Sequence, residues 1–139
     1  MADAANFIRQ SAAIPIRGGQ ICLVTSSSGK RWVIPKGMIE PGTTAGQIAL
    51  QEAWEEAGLV GVLHPEPVGS YLYEKWGGTH YVTVFVMEVT DEAAVWPEYQ
   101  IRQREWLSSP EALERLGDEG LRVIIRAVVE RLFPEHLPV

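Results

Sequence analysis

Two apolar runs open the pattern. Residues 11–16 (Ser-Ala-Ala-Ile-Pro-Ile) and 20–25 (Gln-Ile-Cys-Leu-Val-Thr) read as strands, with Arg17-Gly18-Gly19 predicting a hairpin turn between them. Ser26 to Lys30 is a loop by composition, Arg31-Trp32-Val33-Ile34 is a short strand ended by Pro35, and Lys36 to Gly42 is a glycine- and proline-rich loop. A helix follows. Thr44 can cap it with Gln47 three residues on, and Gly58 suits a left-handed C-terminal cap. Leu50, Ala53, Trp54 and Ala57 fall on one face of that helix at spacings of 3, 4 and 7, which predicts its core side. Residues 68–73 and 80–87 read as paired strands broken by Gly77-Gly78, and Arg104 to Leu107 as a short strand. Ser109-Pro110-Glu111 has the form of a helix start, and Gly120 to Phe133 carries apolar residues at helical spacing. This order of elements predicts an α/β (α+β) fold: a mixed central sheet with helices on both faces.

Composition narrows the class. At 139 residues and 46% hydrophobic, residues 1–139 suit a single domain with a real core. The formal net charge of −6 argues against a nucleic-acid-coating protein, because phosphate neutralisation needs a basic surface. The single cysteine, Cys22, lies in an apolar run and reads as a buried small hydrophobe. Met1 to Asn6 lacks the form of a signal peptide, and no apolar stretch is long enough to span a bilayer. A cytoplasmic protein with no membrane partner is the expectation, as monomer or homodimer.

The chemistry concentrates on the helix. Glu52, Glu55 and Glu56 fall within an arc of roughly 100° at 3.6 residues per turn, opposite the apolar stripe. Like charges so spaced destabilise a helix by about 0.2–0.5 kcal/mol per pair. No lysine or arginine occurs from Thr43 to Gly58 to offset them. Divalent cations would, since magnesium takes oxygen ligands and is commonly held by carboxylates together with substrate phosphates. A plain acidic, solvated stripe is the bland alternative, and the glycine loop just before the helix weighs against it by bringing backbone carbonyls near the carboxylates.

The stretch from Pro35-Lys36-Gly37 to Leu59 resembles the Nudix box: glycine, five residues, glutamate, seven residues, then Arg-Glu-apolar-any-Glu-Glu-any-Gly-apolar. Gly37, Glu52, Ala53, Glu55, Glu56, Gly58 and Leu59 match. Thr43 stands where the family has its first glutamate and Gln51 where it has arginine. Those two side chains generally brace the loop against the helix in the family, so their joint replacement reads as a brace rebuilt from neutral hydrogen-bonding groups. The resemblance implies a Nudix-like α/β/α sandwich and a Mg2+- (or Mn2+-) dependent pyrophosphohydrolase. Glu55, Glu56 and the Gly37 carbonyl would be metal ligands, and Glu52 a further ligand or the group that activates water; all three glutamates count as catalytic.

Features outside the box resemble the diphosphoinositol polyphosphate and diadenosine polyphosphate hydrolases: the Ser26-Ser27-Ser28 loop, Pro35-Lys36-Gly37, and Arg102-Gln103-Arg104-Glu105-Trp106. The implied partner is a phosphorylated small molecule, not nucleic acid. Such substrates need cations beyond the metals. Arg31, Lys36, His80 and Arg104 are the candidates for binding them, although isolated basic residues are usually plain surface. Glu98 is a possible added ligand or base and otherwise solvent-exposed. Trp32, Trp54 and Trp106 read as core, and Trp76 as the tryptophan nearest to substrate contact. Two rival classes stand beside the enzyme: a weakly catalytic module that binds and senses a nucleotide or inositol polyphosphate, and an acidic interaction domain.

Overall fold

The computed structural model describes residues 6–134; the reading of the N-terminus made on residues 1–5 lies outside them. Strand β1 (Ile8–Arg17) is the spine of an eight-stranded mixed sheet. It turns through Gly18 and Gly19, both with positive φ, into the antiparallel β2 (Gln20–Thr25), with Arg17 opposite Gln20. Left-handed backbone at both turn positions is what a tight hairpin requires and what glycine allows at least cost. On its other side β1 runs parallel to β7 (Gly78–Glu92), from Ile8 opposite His80 to Ile16 opposite Glu88. The remaining strands pair antiparallel: β3 (Trp32–Val33) and β8 (Arg104–Leu107) with β2, β4 (Lys36–Met38) with β1, and β5 (Leu59–Leu63) and β6 (Gly69–Lys75) with β7.

Side chains on successive strand residues point to opposite faces, so each buried strand supplies both cores. Ala12, Ile14, Ile16, Ile21, Leu23, Val82, Val84 and Val86 pack on one face, beneath α2 (Ser109–Arg115) and α3 (Glu119–Leu132). Ala13, Cys22, Val24, Phe85 and Met87 pack on the other, beneath α1 (Ala45–Ala57). The expected mixed sheet with helices on both faces is the observed fold. Burial pushes the Cys22 thiol up to about 12, as befits a packing group.

Three expectations need correction. The segment after Pro35 is not wholly loop: Lys36, Gly37 and Met38 pair with Ala12, Ser11 and Gln10 of β1. Strand β5 has no counterpart in the sequence reading. The core side of α1 is also rotated from the expected stripe. Ala49, Ala53 and Ala57 are fully buried, whereas Leu50 and Trp54 are 36% and 39% exposed. Small alanines let α1 lie close on the sheet, and the large side chains flank the contact.

Candidate active site

Helix α1 begins where the capping box was expected. Thr44 Oγ1 accepts from the Gln47 amide at 3.1 Å, and Gln47 Oε1 accepts from the Thr44 amide at 2.8 Å. Gly58, at φ 67°, ends the helix in the left-handed region. The three glutamates therefore sit in its C-terminal half, where the helix dipole already disfavours negative charge and the last turn offers no basic residue.

Glu56 is the most enclosed of the three, 8% exposed, on the side of α1 that packs inward. One carboxylate oxygen accepts from the Lys36 backbone amide at 3.3 Å, and the other lies 3.3 Å from Arg102 Nη2. Arg102 also donates through Nε to Glu98 at 2.9 Å and through Nη1 to the Thr25 carbonyl at 2.9 Å. Burial raises the Glu56 pKa, and Arg102 opposes that shift. Glu52, half-buried, is pushed up to about 8 by burial, then by the neighbouring charges of Glu56 and Glu55, with which it shares hydrogen bonds. Gly37 makes the packing possible: a Cβ there would stand 2.4 Å from Glu52 Cδ and 2.7 Å from its Oε1.

Among the described residues, no three His, Cys, Asp or Glu side chains are grouped closely enough to hold an ion by themselves. The donor chemistry nevertheless suits a divalent cation. A carboxyl that burial and, after it, neighbouring carboxylates hold protonated near neutral pH would shed that proton to a cation, and magnesium completes its shell with water, carbonyl and phosphate oxygens.

A cleft of about 700 Å³ opens beside the carboxylates, between the β3–β4 segment, β6 and the turn joining α2 to α3. Lys30, Arg31, Lys36, Lys75 and Arg102 line it, and of the three helix carboxylates only Glu56 reaches it. Of the four cations picked from the sequence, Arg31 and Lys36 lie in that lining. His80 is buried under Tyr73 and lies outside the cleft lining. Arg104 is a correction. Its Nη1 donates to the Ala57 and Ala93 carbonyls, both at 2.8 Å, and its guanidinium lies over the Trp96 ring, so it secures the end of α1. Trp76 is a second: it stands 89% exposed at the β6–β7 hairpin tip, outside the cleft lining.

Nor do Thr43 and Gln51 form the expected brace. Thr43 Oγ1 donates to the Glu40 carbonyl at 2.6 Å, and Gln51 is exposed. Glu98 is only partly exposed, held by Arg102 and by its own amide on the Glu55 carbonyl at 3.1 Å. Arg102, Lys30, Lys75 and Tyr73 escaped sequence reasoning. Arg102 lay within the basic run already singled out, two residues from the arginine chosen.

A family model for the NUDIX domain matches residues 8–128. The chain is 35% identical over 105 residues to Nudix hydrolase 13, mitochondrial, of Arabidopsis thaliana, covering 68% of this chain and 52% of that one. It is 31% identical over 122 residues to diphosphoinositol polyphosphate phosphohydrolase 2 of Mus musculus, covering 82% and 65%. It therefore spans between about half and two-thirds of the curated relatives it matches. In fold it superposes on an Ap4A hydrolase from C. elegans in a binary complex, with a TM-score of 0.77 at 20% identity, covering 90% of this chain and 97% of that one.

Proposed function

Since this chain belongs to the Nudix family, we propose that residues 1–139 act as one metal-dependent unit that hydrolyses a phosphoanhydride bond in a polyphosphorylated small molecule. The observation that carries this reading is the crowding of Glu52 against Gly37 and Glu56, at the edge of a cation-lined cleft. Glu52, Glu55, Glu56 and the Gly37 carbonyl would hold magnesium or manganese, which when bound polarises a phosphoryl oxygen and makes hydroxide available near neutral pH. Where Glu52 is not itself a ligand, it is the group suited to accept the proton of the attacking water, once the cation has displaced its own. Arg102 steadies Glu56, and Lys36 and Arg31 bind phosphate oxygens from the cleft wall.

The cleft lining favours a substrate dense in phosphate over one that needs base stacking. Lys30, Arg31, Lys36 and Lys75 have no carboxylate within ion-pairing distance among the described residues. The aromatic surface is already engaged: Trp32 by Arg115, and Tyr73 by Lys36 and His80. This supports diphosphoinositol polyphosphates, then diadenosine polyphosphates. Cytoplasmic placement belongs to the proposal too, against the mitochondrial and chloroplastic names that similar plant proteins carry.

A phosphate-release assay with magnesium or manganese over inositol, dinucleoside and nucleoside pyrophosphates tests the reading, with Glu55→Gln as the control that abolishes turnover. The loose pair at Thr43 and Gln51 motivates a second reading, a module that binds such ligands without cleaving them. Binding without release across the panel would favour it and refute the hydrolase.

A further inference from the structure

Four strands bring Lys36 (β4), Tyr73 (β6), Gln10 (β1) and His80 (β7) together at one end of the sheet. The Lys36 ammonium lies over the Tyr73 ring, 5.0 Å from its centroid. The His80 imidazole stacks on the same ring at 4.5 Å with an interplanar angle of 16°. Tyr73 donates its hydroxyl hydrogen to Gln10 Oε1 at 2.6 Å, and His80 Nδ1 lies 3.2 Å from that oxygen. An amide oxygen only accepts, so His80 donates through Nδ1, and its buried Nε2 has no protein partner among the described residues. Gln10 and His80 are 8% and 6% exposed. Tyr73 is thereby fixed at its ring and at its hydroxyl, although the residue itself is only partly buried.

We propose that Tyr73 is a positioning residue that holds the Lys36 ammonium at the cleft wall for a phosphate group of the substrate. This rests on the polyphosphate reading of the cleft given above. A free lysine side chain loses rotamer freedom when it binds. A carboxylate partner would order it but also neutralise it. A ring orders it and leaves the charge whole, because cation–π attraction transfers no countercharge. Arg102 marks the contrast, since its charge is shared between Glu56 and Glu98 before any ligand arrives. Gln10 and His80 then act at one remove: they keep the ring from turning away.

The test is a double-mutant cycle on binding of inorganic tripolyphosphate, measured by titration calorimetry in magnesium buffer for wild type, Tyr73→Leu, Lys36→Met and the double variant. Tyr73→Leu should weaken binding about fivefold in the wild-type background and not at all in Lys36→Met, because Tyr73 acts through the lysine. Equal losses in both backgrounds, no loss in either, or no tripolyphosphate binding by wild type would overturn the inference. Should Tyr73→Leu not fold, the wild-type proton spectrum decides. Ring current should move the Lys36 ε-methylene protons upfield, and an ordinary lysine position would overturn the proposal. Coupled binding without turnover on any pyrophosphate would refute the hydrolase and leave this inference standing.

Discussion

Gly37→Ala isolates the carboxylate packing from everything else. Gly37 lies in a strand and outside the left-handed region, so the backbone accepts alanine without strain. The new methyl group would stand 2.4 Å from Glu52 Cδ, where carbon atoms ordinarily rest at about 3.5–4.0 Å, so the carboxylate must retreat by about 1 Å or more. It has room to go, being half-buried at the end of a flexible side chain, and its hydrogen bonds to Glu56 and Glu55 can pass to water at the cleft edge. The stability cost should therefore fall below about 1 kcal/mol, or about 4 °C in Tm for a domain of this size. A misplacement of that size in a reacting constellation costs on the order of 10²-fold in rate. The expected signature is a large loss of kcat/KM and of the magnesium-induced rise in Tm, in a protein whose metal-free Tm hardly moves. Near-normal turnover would mean that Glu52 need not sit against Gly37. A metal-free Tm lowered by more than about 10 °C would mean that Glu52 cannot move, and the packing is then structural.

The raised Glu52 pKa sets a pH dependence in the metal-free protein. The folded state keeps the proton up to about 8 while the unfolded chain releases it near 4.5, so stability should fall as pH rises between those values and level off above. Thermal scans in EDTA should follow that course, and Glu52→Gln should flatten it; an equal slope in the variant would assign the effect elsewhere. Arg104→Ala removes two charge-assisted hydrogen bonds from the end of α1 and should cost about 3 kcal/mol, or about 10 °C in Tm, with KM unchanged. A raised KM with normal stability would return Arg104 to substrate binding. Installing the family pair with Thr43→Glu and Gln51→Arg should give a coupling of about 0.5 kcal/mol, the scale of an exposed ion pair. A cycle with no coupling would mean the two side chains do not meet.

What was legible in the sequence was local. The Gly18-Gly19 hairpin, the Thr44–Gln47 cap and the Gly58 stop are each settled by backbone and side-chain chemistry within a few residues, and they lie where expected. Strand β4 was hidden because Pro35, Gly37 and Pro41 signal loop, whereas its pairing depends on β1, more than twenty residues away. Strand β5 was hidden because its short apolar run follows the helix cap directly. Its Gly61 also lies so near β7 that a Cβ would meet the Glu88 carbonyl at 2.1 Å, a closeness no local rule anticipates. In α1 the helical period fixed a stripe but not its rotation, so Trp54 was assigned to the core that the alanines occupy. The acidic triplet could be read from spacing alone. Its partner Arg102 could not, because Glu56 and Arg102 meet only through the fold.

The parallel pairing of β1 with β7 also bears on how the protein is made. Residue 8 must wait for residue 80, and residue 16 for residue 88, before the middle of the sheet can close. At ribosomal speeds of about 5–20 residues per second, the first strand has left the peptidyl-transfer centre for roughly 4–14 s before its neighbour follows. Through that interval Ala12, Ile14 and Ile16 have β2 and β4 to rest on but lack the β7 neighbours Val84 and Val86. Such long-range closure is slow and leaves apolar edges open to other nascent chains. Overproduction is therefore best carried out at reduced temperature or with holdase chaperones, since the step at risk precedes any contact that stabilises the finished molecule.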